Sequence, residues 1–178
     1  MSANGLTLAH EDDGTGDDWM TPPPVIELAR QYLGCIDLDP ASHAAAQKYV
    51  QADTYYTKET NGLDASWHGN VWCNPPYSKG LIDGFTQKSI EEWKAGESVE
   101  NMLLLVNAQC DTKWFQSLLN SASAVCFWKG RMKFWKIIDG VAYAKWKSSK
   151  TGKMTNSPRY INTVFCFSRK NTARFHNL

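Results

Sequence analysis

The 178-residue sequence predicts an α/β fold: a doubly wound, mostly parallel sheet that ends in antiparallel strands. Three observations carry this reading. Up to about residue 128, stretches with helical apolar spacing alternate with short apolar runs. Met102-Leu103-Leu104-Leu105-Val106 is a continuous apolar run, as expected of a central parallel strand covered on both faces. Beyond residue 128 the pattern changes to Ile137-Ile138-Asp139-Gly140-Val141-Ala142, a hairpin signal, because Asp-Gly accommodates the positive φ angles of a type I′ turn.

The individual elements follow in chain order. Residues 1–18 end in Glu11-Asp12-Asp13-Gly14-Thr15-Gly16-Asp17-Asp18 and are too poor in apolar side chains to pack, so a flexible arm is expected, with structure beginning near Trp19. After Pro22-Pro23-Pro24, the residues Val25, Ile26, Leu28, Ala29, Tyr32 and Leu33 recur at helical spacing, and Gly34 stands where that helix stops. A strand over 35–38 closed by Asp39-Pro40, an alanine-rich helix over 41–50 and a strand over 52–57 come next. A polar loop containing Gly62 and Gly69 leads to the strand Val71-Trp72-Cys73. Leu81, Ile82, Phe85, Ile90 and Trp93 mark one amphipathic helix, and Trp114, Phe115, Leu118 and Leu119 another. Residues 124–128 read as a strand, 148–153 as a flexible loop and 161–167 as the last strand. The expected organisation is one domain over residues 19–178, of which 129–160 form a basic hairpin region.

Composition excludes several classes. With 43% apolar and 21% charged residues the chain is globular. No apolar run approaches the roughly 20 residues of a membrane span, and Met1-Ser2-Ala3-Asn4 lacks a secretory signal, so a cytoplasmic protein without membrane contact is expected. The five cysteines are odd in number, widely spaced and never in C-x-x-C, which predicts buried free thiols. His10, His43, His68 and His176 share no ligand spacing with them, so no metal is expected.

The net charge of +1 hides a partition. Residues 1–128 carry 17 acidic against 7 basic side chains, whereas residues 129–178 carry 12 basic side chains against the single acid Asp139. Such a cationic tail points to a polyanion. Phe134, Trp135, Tyr143, Trp146 and Tyr160 interleave with its cations, a mixture suited to nucleic acid. Arg131, Lys133, Lys136, Lys145 and Lys147 flank the Asp139-Gly140 turn, and alternation along a strand would put Arg131, Lys133 and Trp135 on one face.

Asn74-Pro75-Pro76-Tyr77 directly follows a strand, at the end where open α/β sheets place ligands. Successive prolines lack N–H groups and hold φ near −65°, leaving a rigid segment whose carbonyls face a ligand. The Asn74 side-chain carbonyl and the Pro75 main-chain carbonyl are then placed to accept from one amino group. Those bonds pull an aromatic amine toward tetrahedral geometry and localise its lone pair, and Tyr77 offers a ring on which a planar base stacks. Asp111-Thr112-Lys113-Trp114 follows the 102–106 strand and shares the same rim, where Lys113 suits a phosphate.

The tetrapeptide matches the [DNS]-P-P-[YFW] motif of amino-methyltransferases. Asp18-Trp19-Met20-Thr21-Pro22-Pro23, Ile36-Asp37-Leu38-Asp39-Pro40-Ala41-Ser42, residues 107–115 and Gly130-Arg131-Met132-Lys133-Phe134 resemble, in consistent order, further segments of the phage-type DNA N6-adenine methyltransferases. The resemblance implies a class I, Rossmann-like methyltransferase fold and transfer of a methyl group from S-adenosylmethionine to the N6 amine of an adenine flipped out of double-stranded DNA. It makes Asn74, Pro75, Pro76 and Tyr77 catalytic. It assigns the cofactor to Trp19, Thr21, Asp37, Asp39, Pro40, Ala41 and Ser42, with Asp37 or Asp39 on the ammonium and Thr21 on the carboxylate of the methionine moiety. Asp53, Glu59 and Asp64 stand as alternatives for the ribose hydroxyls. The usual glycine-bearing turn is missing, and His43-Ala44-Ala45 takes its place. DNA falls to Lys113, Arg131, Lys133, Lys136, Lys145 and Lys147, no obligate protein partner is evident, and the same motif also serves enzymes acting on RNA or glutamine side chains. A DNA-binding module without turnover is the more distant alternative.

Overall fold

A computed structural model describes residues 19–78, 80–96, 98–138, 141–143, 146–147, 154–155 and 160–169. The N-terminal arm, the Asp139-Gly140 pair, Lys145 and the 148–153 loop lie outside the described residues. The side chains of Lys136 and Lys147 do so too, although their backbones are described.

In chain order the elements are β1 (Trp19–Met20), α1 (Pro23–Leu33), β2 (Leu38–Asp39), α2 (Ala44–Val50), β3 (Thr54–Tyr55), β4 (Gly69–Cys73), α3 (Leu81–Ala95), β5 (Val99–Asn107) and α4 (Lys113–Ser121). After these come β6 (Ala124–Phe127), β7 (Trp135–Ile138), β8 (Val141–Tyr143), β9 (Trp146–Lys147), β10 (Met154–Thr155) and β11 (Asn162–Ser168). The main sheet has six strands in the order β3-β2-β4-β5-β11-β6. Strands β3, β2, β4 and β5 run parallel, and β11 inserts antiparallel between β5 and β6. This is the expected Rossmann-like α/β sheet with an antiparallel edge. The chain leaves β2 toward β3 on one side and returns to β4 on the other, so the order reverses between the carboxyl ends of β2 and β4.

Alternation in the central strands supplies two cores. On one face Val71, Cys73, Met102, Leu104, Val106, Phe165 and Phe167 pack under α3 and α4. On the other, Trp72, Leu103, Leu105 and Cys166 pack under α1 and α2, together with Met20, Met132 and Phe134. The apolar run at 102–106 is buried on both faces because helices cover both.

Several elements depart from the sequence pattern. The strand expected over 35–38 pairs only at Leu38–Asp39, and that over 52–57 only at Thr54–Tyr55. The alanine-rich helix starts at Ala44, with His43 as its cap accepting from Ala46 N through Nδ1 at 3.1 Å. Residues 131–134 are not a strand, yet they keep an alternation in which Met132 and Phe134 enter the core while Arg131 and Lys133 stay exposed. Trp135 does not join those cations: its ring packs edge-on against Tyr49 at 5.7 Å. The expected hairpin is present, with Ile138 paired to Val141. Of the cysteines only Cys73 and Cys166 are buried; Cys126 is half-buried, and Cys35 and Cys110 are exposed. Among the described residues, no helix is long and apolar enough to cross a membrane and no His, Cys, Asp and Glu cluster has metal-site geometry.

The loop before β4 is tied down by one indole. Trp67 is fully buried beside Phe85, and its Nε1 donates to the Gly62 carbonyl at 2.8 Å. That holds the Gly62 backbone against Pro40, where an added Cβ would stand 1.9 Å from the Pro40 carbonyl oxygen. Gly62→Ala is therefore expected to push this loop off the end of β2 and to lose roughly 1–3 kcal/mol of stability, read as a lower urea midpoint at an unchanged m-value.

Candidate active site

Polar side chains gather at the carboxyl ends of the parallel strands, on the face that carries α1 and α2. Leu38 pairs with Val71 and Cys73 with Leu104, so Asp39, Asn74 and Asn107 lie toward one edge of the sheet. Asn162 pairs with Asn107 in the antiparallel neighbour and completes the row. Asp39, Asn74, Asn107 and Asn162 thus come from four adjacent strands, at the reversal of strand order and beyond it.

Asn74 is fixed by its partners. Its Nδ2 donates to the main-chain carbonyl of Trp19 at 3.2 Å, and since a carbonyl only accepts, the amide nitrogen has to face Trp19. Its Oδ1 faces the other way, within 3.4 Å of the Tyr77 hydroxyl, which also donates to the Leu105 carbonyl at 3.2 Å. Pro75 is buried behind it. Burial holds the Tyr77 phenol neutral, its pKa raised far above the ordinary value. Tyr77 is thus a donor here, and its half-buried ring leans on the α3–α4 core.

Trp19 reaches the site because β1 pairs antiparallel with β7, Met20 opposite Trp135. Its ring stands edge-on to Phe134 at 6.1 Å. Thr21 follows, 3% exposed, and its Oγ1 is buried with no hydrogen-bond partner among the described residues. Such an orphaned hydroxyl suits an acceptor on a bound molecule.

Asp39 is also 3% exposed. Its Oδ2 accepts from Gln47 Nε2 at 3.0 Å and its Oδ1 from Ala41 N at 3.4 Å. Gln47 Nε2 also donates to Ser42 Oγ at 2.7 Å, and Ser42 N to the Tyr56 carbonyl at 2.8 Å, which knits the turn after β2 to the end of β3. No cation balances the carboxylate among the described residues, and desolvation pushes its pKa up to about 6 against the hydrogen bonds that lower it. A buried acid held this way is chemically suited to a cationic partner.

The structure separates residues that the sequence left grouped. Asp37 lies at the opposite end of the sheet, where its Oδ2 accepts from Asn70 N at 2.6 Å and from Asn70 Nδ2 at 3.1 Å. The chain's path splits the ribose alternatives likewise: Asp53 precedes β3, while exposed Glu59 and Asp64 follow it on the ligand side. Asp64 accepts from Asn61 Nδ2 at 2.6 Å. Glu59 accepts from the Thr57 hydroxyl at 2.5 Å, a bond that lowers its pKa. Lys113 is exposed at the start of α4, with Thr112 as the cap and Asp111 just outside the helix. Sequence reasoning missed Asn107 and Asn162, since one ends an apolar run and the other begins one; only the β5–β11 register brings them together.

A sequence model of the DNA N-6-adenine-methyltransferase (Dam) family matches residues 9–173. The chain belongs to this family. Its residues 19–169 thus carry the Dam-family sheet, with the Asn74-Pro75-Pro76-Tyr77 segment at the reversal of strand order. A relative from Escherichia phage T1, named DNA N-6-adenine-methyltransferase, is 30% identical over 160 residues. That match covers 86% of this chain and 63% of the phage protein. A solved structure, the human methyltransferase 10 domain containing protein, aligns with 94% of this chain and 75% of its own at 12% identity and a TM-score of 0.37.

The raised Asp39 pKa has a consequence for stability. The folded protein binds a proton more tightly than the unfolded chain between the ordinary 3.8 and about 6, so the cost of the buried charge grows as pH rises through that window and is complete above it. Asp39→Asn is expected to be more stable than the parent at pH 7.5 by roughly 2–3 kcal/mol, with the difference vanishing near pH 4. Urea unfolding at a series of pH values measures it, and a pH-independent difference would contradict the assignment.

Proposed function

We propose that this Dam-family chain methylates the N6 amine of adenine in double-stranded DNA, using S-adenosylmethionine. The observation that carries the reading is the fixed orientation of Asn74, whose amide nitrogen is engaged by the Trp19 carbonyl so that its oxygen is presented as an acceptor directly before two prolines. The family match and the phage relative's name support the choice of DNA adenine.

The site's residues fit the methyl donor as well as the acceptor. Asp39 offers a buried, unneutralised carboxylate for the ammonium of an amino acid, and Thr21 offers an orphaned hydroxyl for its carboxylate. Pro40, Ala41 and Ser42 form the turn beside them, and Asp37 is left out of this assignment by its place at the far end of the sheet. Bound S-adenosylmethionine supplies an electrophilic methyl group on a sulfonium centre. Asn74 Oδ1 and the Pro75 carbonyl accept the two amine hydrogens, which holds the nitrogen lone pair out of the adenine ring and makes it nucleophilic. A neutral Tyr77 is no base, so its contribution is to orient Asn74 and to flank the base with its ring.

A buried strand end cannot be reached by a base inside a duplex, so the target adenine has to leave the stack, at a cost of a few kcal/mol. The cationic segment is well placed to hold the duplex meanwhile. Arg131 and Lys133 are exposed on the stretch that leads into β7, which pairs with β1, whose Trp19 touches Asn74. Lys136, Lys145, Lys147 and Lys113 are assigned to phosphates on the same reading.

The direct test is incubation of the protein with labelled S-adenosylmethionine and duplex DNA, single-stranded DNA, RNA or a glutamine peptide, followed by product analysis. N6-methyladenine from the duplex arm is expected, and label confined to the RNA or peptide arm would overturn the substrate. Asn74→Ala is expected to lower kcat by roughly 100- to 1000-fold, by analogy with the loss of one fixed polar group from an active site, with S-adenosylmethionine affinity kept within a few-fold by calorimetry.

Replacing Arg131 and Lys133 together by alanine is expected to weaken DNA binding and to flatten the slope of log affinity against log salt by about 0.9 per lost phosphate contact. Filter-binding titrations at several salt concentrations measure this, and an unaltered slope would remove the segment from the DNA interface.

A further inference from the structure

The α1–α2 face of the sheet carries a row of polar side chains at each end, and the two rows differ in how they are satisfied. At the amino ends, Ser168 Oγ donates to Asn101 Oδ1 at 2.8 Å, Asn101 Nδ2 to Asn70 Oδ1 at 2.8 Å, and Asn70 Nδ2 to Asp37 Oδ2 at 3.1 Å. Each donor points along the sheet toward a carboxylate, and the chain of bonds is closed. This row explains itself as structure: it satisfies buried polar groups where four strands begin or end.

The carboxyl-end row is left open. Asn162 Nδ2 donates to Asn107 Oδ1 at 3.2 Å, but Asn162 is fully buried and its own Oδ1 has no partner among the described residues. Reversing both amides would trade the unpartnered Asn162 oxygen for a second unpartnered N–H, and an orphaned buried N–H is rarer than an orphaned carbonyl. With its oxygen engaged by Asn162, Asn107 presents its Nδ2 as a donor at the rim, 9% of the residue being exposed. One strand away Asn74 presents an acceptor, and the Tyr77 hydroxyl joins the two strands by reaching both Asn74 Oδ1 and the Leu105 carbonyl. An acceptor beside a donor, on one face of the same sheet edge, is the complement of an amine beside an unprotonated ring nitrogen.

We infer that Asn107, held in orientation by Asn162, donates to the ring nitrogen that flanks the target amine while Asn74 accepts from the amine itself. The inference rests on the reading above that the substrate is a flipped adenine. It makes Asn107 a base-binding residue and Asn162 a positioning residue. Adenine offers two such nitrogens, N1 and N7, on either side of the carbon that bears the amine. On the N1 side a guanine would bring N1–H and a carbonyl, and a thymine N3–H and a carbonyl, so that donor meets donor and acceptor meets acceptor; on the N7 side a guanine would still set its O6 acceptor against the Asn74 oxygen.

The experiment uses duplexes in which the methylated adenine is replaced by 1-deazaadenine or 7-deazaadenine. With the parent protein, one analogue is expected to lose ~10-fold in kcat/KM, the size of one neutral hydrogen bond, and the other to react nearly as adenine does. Asn107→Asp keeps an oxygen for Asn162 Nδ2, preserving the fold, and removes the donor. It is expected to lose a similar factor on adenine and nothing further on the sensitive analogue. Asn107→Ala is expected to behave the same way, and Asn162→Ala to blunt the discrimination partially. Parent protein that methylates adenine and both analogues equally would overturn the inference alone, as would Asn107 variants that keep the full penalty. Parent protein that methylates no adenine would instead overturn the reading on which it rests.

Discussion

The hydrogen bond from Asn74 Nδ2 to the Trp19 carbonyl is the contact on which the site depends. It joins residues 55 positions apart in the chain and performs two tasks. It consumes the amide's donor side, so an otherwise ambivalent side chain becomes an acceptor. It also sets β1 against the end of β4, and β1 in turn carries the orphaned Thr21 hydroxyl on one side and pairs with the cationic β7 on the other. Without it the Thr21 segment, the Arg131–Lys133 segment and the Asn74-Pro75-Pro76-Tyr77 segment would lack the contact that joins them.

The energetics of the two polar rows show which end of the sheet the fold uses for itself. Burying an amide without a partner costs about 1–3 kcal/mol, and the amino-end row avoids that cost entirely by closing Ser168, Asn101, Asn70 and Asp37 into one chain. At the carboxyl end, among the described residues, the Asp39 charge, the Thr21 and Thr163 hydroxyls and the Asn162 side-chain carbonyl are left uncompensated. A domain that tolerates them is less stable than its packing alone would make it, and a ligand that supplies an ammonium beside Asp39 and a carboxylate beside Thr21 would restore part of the balance.

Much of this was legible in the sequence, and the part that was not has a common physical origin. Long elements announce themselves through periodicity, which is why α1, α3, α4 and β5 stand where the apolar spacing of 25–33, 81–93, 114–119 and 102–106 predicts them. The Asp-Gly hairpin was visible because turn chemistry is local. β1, β2 and β3 are two residues each and owe their pairing to partners far away in the chain, so the local pattern overstates β2 and β3 as strands over 35–38 and 52–57 and marks no strand at β1. Residues 131–134 alternate like a strand and are not one, because Met132 and Phe134 are anchored in the core while no neighbouring chain offers a ladder. Asp37 and Asp39 are both acids near one strand, and only the register with β4 separates the acid that closes the structural row from the one at the site. The Asn-Pro-Pro-Tyr motif was readable in full, whereas the Asn107–Asn162 pair depends on an antiparallel register 55 residues across.

The charge partition acquires a structural meaning once the sheet is known. The acidic excess falls on residues 1–128, which also hold the buried Asp39 carboxylate. An acidic excess of this kind repels a polyanion and a cationic one attracts it. Within the cationic segment 129–178, β7 pairs with β1, whose Trp19 carbonyl accepts from Asn74, and β11 pairs with β5, which ends at Asn107. On the proposed function, attraction at long range and hydrogen bonding at short range fall to neighbouring strands: the cations of 131–133 lead into the strand paired with β1, and the Asn74 acceptor and Asn107 donor stand at the edge that β1 touches.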